Sequence, residues 1–427
     1  MIHTKRLNIA IVCDPLTHLV SGSMISTLRF AEMLSKKGHN IIFIAAKDKK
    51  KREIDYYNNL KIYRFISFAL PGSNGQYVLS FPTISRLKKI LIHENIDIVH
   101  IIDPTPSSFI CIKAAKILDI KIVAHSHMQP ENISFNFPKI MQGKRLNNLL
   151  YHYMIWLYHQ VDIVICPSHF AEKLLRKYDK EIKIAVISNG VNFNKFKKQN
   201  YSRFIKKYNL NENDKKILYV GRLNDEKSVE TLIEAMPYIL KEYQNVQLEI
   251  IGKGNLLPEL KQLAKELHLQ NKIKFFGYVP EKELLMAYNA CDIFVLPSIA
   301  ELEGMVVLEA MACAKPIIVS DSKKSASSDL VQDNGLIFKL QKPKDLAQKV
   351  LLLLKNKNLR LQMGKKSYIR AKKFDINKSV IKLENLYYSL LKDQFENAYA
   401  KKFEKHTLEL QLKQKPEISK HKYEKVM

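Results

Sequence analysis

The strongest constraint on the fold is a rhythm that runs through the chain twice. Short β-branched runs at Leu7–Cys13, Asn40–Ala46, Asp97–Ile101, Lys121–Ala124, Asp162–Cys166 and Lys183–Ile187 are separated by stretches of helical pattern. The rhythm then restarts at Ile217–Val220, Val246–Ile251, Ile273–Phe276, Ile293–Leu296 and Pro316–Val319, with Gly221, Gly252 and Gly277 each just past a strand where a tight turn is needed. Strands that alternate with helices make parallel sheets covered on both faces. The expected fold is therefore α/β, with two Rossmann-like, doubly wound parallel-sheet domains. The 427-residue length agrees, because domains usually run about 100–200 residues.

The break between the series falls in Asn192–Asn213, polar and rich in Lys and Asn, after the turn signal Ser188-Asn189-Gly190. A hinge is expected there, dividing an N-terminal domain (1–195) from a C-terminal domain (196–370). Residues 371–395, with a helical pattern around Val380–Leu391, are expected to cross back to the first domain. Residues 396–427 are highly charged, with only a weak apolar pattern at Phe403, Leu408, Leu410 and Leu412. They are expected to be helical or disordered.

The chain carries 69 Lys and Arg against 42 Asp and Glu, a formal charge of +27. That excess suits a polyanionic partner, whether nucleic acid, an anionic membrane or a phosphorylated small molecule, and it is also met by solvated helix faces. The densest basic cluster is Lys47, Lys49, Lys50, Lys51 and Arg52. Nucleic acid is set aside, because no recognition motif or basic stretch interleaved with aromatics is present. The five cysteines (Cys13, Cys111, Cys166, Cys291, Cys313) sit in apolar contexts with no C-x-x-C pair, so they read as buried, reduced thiols. The apolar run after Lys5 and Arg6 is too short for a signal-peptide core, and no stretch approaches the roughly 20 apolar residues of a spanning helix. Cytoplasmic residence is expected, with peripheral binding to the inner face of the plasma membrane open.

The chemistry is concentrated in Pro297-Ser298-Ile299-Ala300-Glu301-Leu302-Glu303-Gly304-Met305-Val306-Val307-Leu308-Glu309. This segment follows a strand, turns at Gly304 and begins a helix at the sheet's carboxyl edge, where doubly wound sheets bind ligands. Glu301 lies in the loop and Glu309 about two helical turns in, so the two carboxylates can address different parts of one extended polar ligand. Together with Gly221-Arg222-Leu223-Asn224-Asp225-Glu226-Lys227 after an earlier strand, the stretch resembles the E-x7-E and G-R-L-x-x-E-K signatures of family 4 retaining glycosyltransferases, which have the GT-B fold. The resemblance covers roughly residues 7–375 and spans diacylglycerol glucosyltransferases and phosphatidylinositol mannosyltransferases.

The resemblance implies an acceptor domain first, a donor domain second, and a cleft between them. Arg222 and Lys227 would bind the donor diphosphate, where fixed cations stabilise the charge that develops as the sugar bond breaks. Glu309 would bind the ribose and Glu301 the transferred hexose. Amides of Gly304, Met305 and Val306 would meet sugar or phosphate, and Gly252 and Val279 would line the nucleoside pocket. His127, in Ala124-His125-Ser126-His127, matches the histidine that reaches the donor sugar, while His125 reads as a packed residue. Ser21-Gly22-Ser23 matches a turn in which two glycines are common, with only Gly22 present. Ala314 stands where glycine is usual, Ser322-Lys323-Lys324-Ser325 replaces a glycine-rich turn, and Glu303 occupies a position where an aromatic is commoner.

The expected activity is that of a hexosyltransferase moving a hexose from a UDP- or GDP-hexose to a hydroxyl of a lipid or glycan acceptor, in membrane-associated glycolipid or cell-envelope polysaccharide synthesis. The resemblance implies front-face substitution. No D-x-D motif stands at the expected place and Arg222 with Lys227 can do the charge work, so no metal or other cofactor is required, with Mg2+ stimulation left open. A segment from Pro138 to Val161 places Leu146, Leu149, Leu150, Tyr153, Met154 and Leu157 at helical spacing, with Lys139, Lys144 and Arg145 at one end. It suits either a core helix or an interfacial helix whose Tyr151, Trp156 and Tyr158 touch lipid headgroups. Two alternatives remain: a sugar-nucleotide epimerase of the same architecture, and an inactive sugar-binding scaffold.

Overall fold

The computed structural model describes residues 5–16, 22–47, 53–69, 78–134 and 143–392. Ser21, Lys49–Arg52, Pro138, Lys139 and the 396–427 tail lie outside the described residues.

The first half contributes β1 (Asn8–Val12), β2 (Asn40–Ala46), β3 (Ile54–Tyr57), β4 (Leu60–Phe65), a hairpin of β5 (Ser67–Ala69) and β6 (Val78–Ser80), then β7 (Ile98–Ile101), β8 (Lys121–His125), β9 (Ile163–Cys166) and β10 (Ile184–Val186). Eight strands form one sheet in the order β10-β9-β8-β7-β1-β2-β4-β3. All neighbours are parallel except β3 and β4. The second half contributes β11 (Lys215–Val220), β12 (Val246–Ile251), β13 (Ile273–Gly277), β14 (Ile293–Leu296), β15 (Ala300–Glu301), β16 (Ile317–Ser320), β17 (Lys324–Ser325) and β18 (Gly335–Phe338). Its six-stranded sheet, β13-β12-β11-β14-β16-β18, is parallel throughout. Strand order reverses beside β1 and beside β11, so a crevice opens at the carboxyl ends there. Every strand read from the sequence is present, with ends shifted by a residue or two. β3 to β6, β15, β17 and β18 lie outside the strand runs of the sequence.

The inner strands of each sheet are buried on both faces, which is why β1, β2, β14 and β16 are almost wholly apolar. In the first sheet Ala10, Val12, Ile42 and Ile44 point to one face, and Ile9, Ile11, Ile41 and Phe43 to the other. The second of these faces is covered by the Gly22–Lys36 helix through Met24, Leu28, Ala31 and Leu34, and by residues 376–392 through Val380, Leu383, Tyr387 and Leu391. The final helix therefore completes the core of the first domain.

The chain crosses between domains at two adjoining places. Val191 N–H donates to Phe374 O at 2.8 Å, and Ile376 N–H returns to Val191 O at 3.1 Å. Gly190 has φ +71°, and a Cβ there would lie 2.7 Å from Ile376 Cα, so the crossing is tight enough to need glycine. The segment Asn192–Asn213, where a hinge is expected, begins directly after this crossing. That segment contains the Ser202–Lys207 helix and buries Phe196, Phe204, Ile205 and Leu210 in the second core. Its polar composition comes from the other residues, which remain outside.

The Lys144–Tyr158 helix has both characters at once. Tyr151, Met154, Ile155, Leu157 and Tyr158 are buried against the first sheet, while Leu149, Tyr153 and Trp156 are exposed. Tyr151 and Tyr158 are thus core residues rather than headgroup contacts. Tyr151 OH donates to Glu131 Oε2 at 2.8 Å, which satisfies its polar end. All five cysteines are buried and free. Among the described residues no helix is long and apolar enough to cross a membrane.

Candidate active site

The loops that leave β11, β12 and β13 are laid one on the next. Gly221 N–H donates to Ile251 O (3.0 Å) and Gly252 N–H to Gly277 O (2.8 Å). A Cβ on Gly252 would sit 1.7 Å from Gly221 O, so only glycine permits this stacking. The loop from Gly221 then carries Arg222 into the short Asp225–Lys227 turn. Arg222 pairs with Glu226, Nη2 to Oε1 at 2.9 Å, and Tyr219 OH donates to the Arg222 carbonyl at 2.6 Å. Glu226 O in turn accepts Ile299 N–H at 2.8 Å, tying this turn to the loop after β14.

Lys227 and Glu301 meet directly. Lys227 Nζ lies 2.6 Å from Glu301 Oε1, which also accepts Ser298 Oγ–H at 2.9 Å. The lysine is buried and the glutamate half-buried. An ammonium has three donors, so this bond leaves capacity for an anion. Gly304 caps the Met305–Ala312 helix, whose first amides have no acceptor within the helix itself. A Cβ on Gly22 would lie 3.6 Å from Met305 Sδ, so the N-terminus of the Gly22–Lys36 helix abuts that of the Met305–Ala312 helix. Two helix N-termini from different domains converge there, each carrying partial positive charge.

Glu309, further along its helix, is buried and doubly bonded. Its Oε1 accepts Arg29 Nη2 at 3.0 Å and its Oε2 accepts Tyr288 OH at 3.0 Å. Burial pushes its carboxyl up, and the Arg29 guanidinium pulls it back down. Val279 is buried just past β13, beside an exposed Tyr278 whose ring centroid lies 6.0 Å from Lys253 Nζ. Met305 and Val306 are half-buried.

The first domain presents a row of imidazoles. His127 stacks on His125 (centroids 3.9 Å, 18° between planes), and His125 on His100 (5.6 Å, 3°). His100 Nδ1 lies 2.6 Å from Tyr387 OH on the final helix. Enclosure pushes His127 and His100 down to about 3 and His125 well below its ordinary value, so all three are neutral across ordinary working pH. The Nε2 atoms of all three are buried without a partner. Two residues past His127, Gln129 Nε2 donates to Lys324 O at 3.0 Å. Since β17 pairs with β15, the strand that ends in Glu301, this bond sets the His127 segment against the Glu301 segment.

Two further bonds join the domains around the same loop. Ser168 Oγ–H donates to Leu302 O, and Asn189 N–H to Glu303 Oε2 at 3.1 Å. Glu303 is therefore a buried strut between the donor-side loop and the crossing, where burial pushes its carboxyl up to about 7. Sequence reasoning missed Arg29, Tyr288, Ser298, Gln129 and Ser168. Ser298 lies inside the Glu301 segment and bonds that residue three positions on, a contact the spacing alone does not show, while the others stand outside the quoted segments and act through partners elsewhere in the chain.

Residues 20–195 match the family described as Glycosyltransferase Family 4, and residues 200–370 the family described as Glycosyl transferases group 1. The chain is 26% identical over 318 residues to alpha-monoglucosyldiacylglycerol synthase of Streptococcus pneumoniae, spanning 73% of this chain and 70% of that protein. It is 26% identical over 399 residues to N-acetyl-alpha-D-glucosaminyl L-malate synthase of Bacillus anthracis, spanning 91% and 98% respectively. Among solved structures, Anabaena HepE in complex with UDP and glucose matches with a TM-score of 0.71 at 18% identity, covering 90% of this chain and 100% of that one.

Proposed function

Because the chain belongs to the glycosyltransferases that join a family 4 domain to a group 1 domain on the GT-B fold, we propose that it is a retaining hexosyltransferase using a UDP- or GDP-hexose and acting on a lipid or glycan hydroxyl at an anionic membrane surface. The observation that carries the donor reading is the convergence of Lys227 and Glu301, 2.6 Å apart, with Arg222 on the same loop as Lys227 and two helix N-termini meeting at Gly22 and Met305. Cationic side chains and helix N-termini suit a diphosphate, whose charge grows as the sugar leaves. Glu301 suits hexose hydroxyls and Glu309 the ribose. His127, kept neutral by enclosure, is able to hydrogen-bond a sugar hydroxyl without adding a positive charge beside developing oxocarbenium character. In a front-face step the acceptor hydroxyl's proton passes to the departing phosphate oxygen as the new glycosidic bond forms. The chain then supplies position, charge stabilisation and exclusion of water. The reading requires no cofactor; assays with and without Mg2+ measure any stimulation.

The lipid side of the reading is favoured by the diacylglycerol-modifying relative and by the exposed Leu149, Tyr153 and Trp156 beside exposed Lys144 and Arg145. The test is turnover of UDP-, GDP- and ADP-hexoses with and without extracted lipids. Wild type should release nucleotide faster with lipid present and form an α-linked glycolipid from an α-linked donor. Lys227→Ala should lower turnover by roughly 100-fold or more. An inverted product, epimer formation without acceptor, or wild-type turnover in Lys227→Ala would overturn the reading.

A further inference from the structure

One cation from the first domain reaches the far end of the donor site. Arg29 lies about two turns into the Gly22–Lys36 helix. Its Nη2 donates to Glu309 Oε1 at 3.0 Å and lies 3.7 Å from Glu281 Oε1, while its guanidinium carbon sits 5.4 Å from the Phe196 ring centroid. The side chain is 11% exposed, and its Nη1 is buried with no hydrogen-bond partner. A buried donor without an acceptor costs roughly 1–3 kcal/mol, so a fold that keeps one favours a ligand able to accept from it.

The chemistry of that ligand follows from the groups around it. The Glu309 carboxylate has about four acceptor positions. Arg29 and Tyr288 each occupy one, on different oxygens, which leaves acceptor capacity on both. Spare acceptors on a carboxylate beside a spare donor on a guanidinium complement a cis-diol, because each hydroxyl both donates and accepts. A ribose supplies such a diol.

We propose that Arg29 is a positioning residue for the nucleotide, supplied across the cleft by the first domain. It fixes the Glu309 carboxylate and presents Nη1 to the ribose hydroxyls, so ribose recognition and one of the contacts between the two domains share an ion pair. The inference rests on the reading of Glu309 as the ribose ligand. It adds that the 2′-hydroxyl is read jointly by residues of both domains.

The test is calorimetric titration of the full-length protein with UDP, GDP and their 2′-deoxy counterparts, using wild type, Arg29→Ala, Arg29→Lys and Glu309→Gln, with melting temperatures to confirm folding. Wild type should bind a ribonucleotide about tenfold or more tightly than its 2′-deoxy form. Arg29→Ala should weaken ribonucleotide binding by about tenfold and bring the ribo-to-deoxy ratio near one. Arg29→Lys should keep the interdomain pair and its melting temperature yet lose most of the discrimination, because an ammonium lacks the second arm. A folded Arg29→Ala protein that keeps the wild-type ratio would overturn the proposal while leaving the donor site intact. Wild-type protein that binds no ribonucleotide, or Glu309→Gln protein with unchanged affinity, would overturn the reading beneath it.

Discussion

Ala314 holds a left-handed backbone conformation with φ +56°, directly after the helix that carries Glu309. A residue with a Cβ is strained there by roughly 1–2 kcal/mol, and glycine is not. Ala314→Gly relieves that strain and gives back up to about 1 kcal/mol through the freer unfolded chain. The expected result is a net gain near 0.5–1 kcal/mol, seen as a melting temperature raised by about 1–3 °C. A lower melting temperature would show that the alanine methyl makes contacts worth more than the strain. The same segment shows what was legible at this scale. Glu301, Glu309, Arg222 and Lys227 could be found because each stands at a fixed offset from a glycine and a strand end. Arg29 could not, because it sits 280 residues from Glu309 and looks like any polar position on an amphipathic helix. Glu303 stood out as unusual where an aromatic is commoner, but its use as a strut to Asn189 depends on a contact that only the folded chain makes.

The Lys144–Tyr158 helix exposes Leu149 at 66% and Trp156 at 48%, too much apolar surface on one face to be explained by its own packing. The face continues onto the Pro106–Ile117 helix, where Phe109 touches Trp156 (centroids 5.0 Å) and Lys113, Lys116 and Ile117 are exposed. If this face meets anionic lipid, wild-type protein floats with anionic liposomes at low salt and releases at high salt. Leu149→Ala with Trp156→Ala should cut binding by about tenfold or more, given roughly 1.5–3 kcal/mol for each large apolar side chain buried. Wild-type protein that fails to float at low salt would end the membrane reading. Strands were legible for a related reason: burial on both sides demands unbroken apolar runs. β3 escaped notice because its burial alternates, with Ile54 and Tyr56 exposed, as suits an edge. β15 and β17 are two-residue strands, too short to leave any pattern.

Across the whole molecule, two sets of buried groups make stability depend on pH in opposite directions. Burial pushes Asp103 and Glu303 up to about 7 and Glu249 to about 8, so the native state holds these protons more tightly than the unfolded chain. Their contribution is complete below about pH 4 and is lost as pH rises to 7–8. His100 and His127, pushed down to about 3, and His125, pushed well below its ordinary value, act in reverse, because the unfolded chain gains protons below about pH 6.5. The slopes oppose each other between about pH 4.5 and 6.5, and above that only the carboxyl slope remains. Melting temperature should therefore be level near pH 5–6.5 and fall by pH 8, with Glu303→Gln removing about 1 kcal/mol of that fall. A melting temperature higher at pH 8 than at pH 6 would contradict this. Two domains could be read from the restart of the strand rhythm, but the bonds that close them on each other could not, since they join single residues without pattern. The contribution of residues 376–392 to the first core also sets an order of events during synthesis. The second domain is continuous in sequence and is free to fold as soon as it leaves the ribosome, whereas the first must wait for Leu391 before its outer layer is complete. The half translated first is the half finished last.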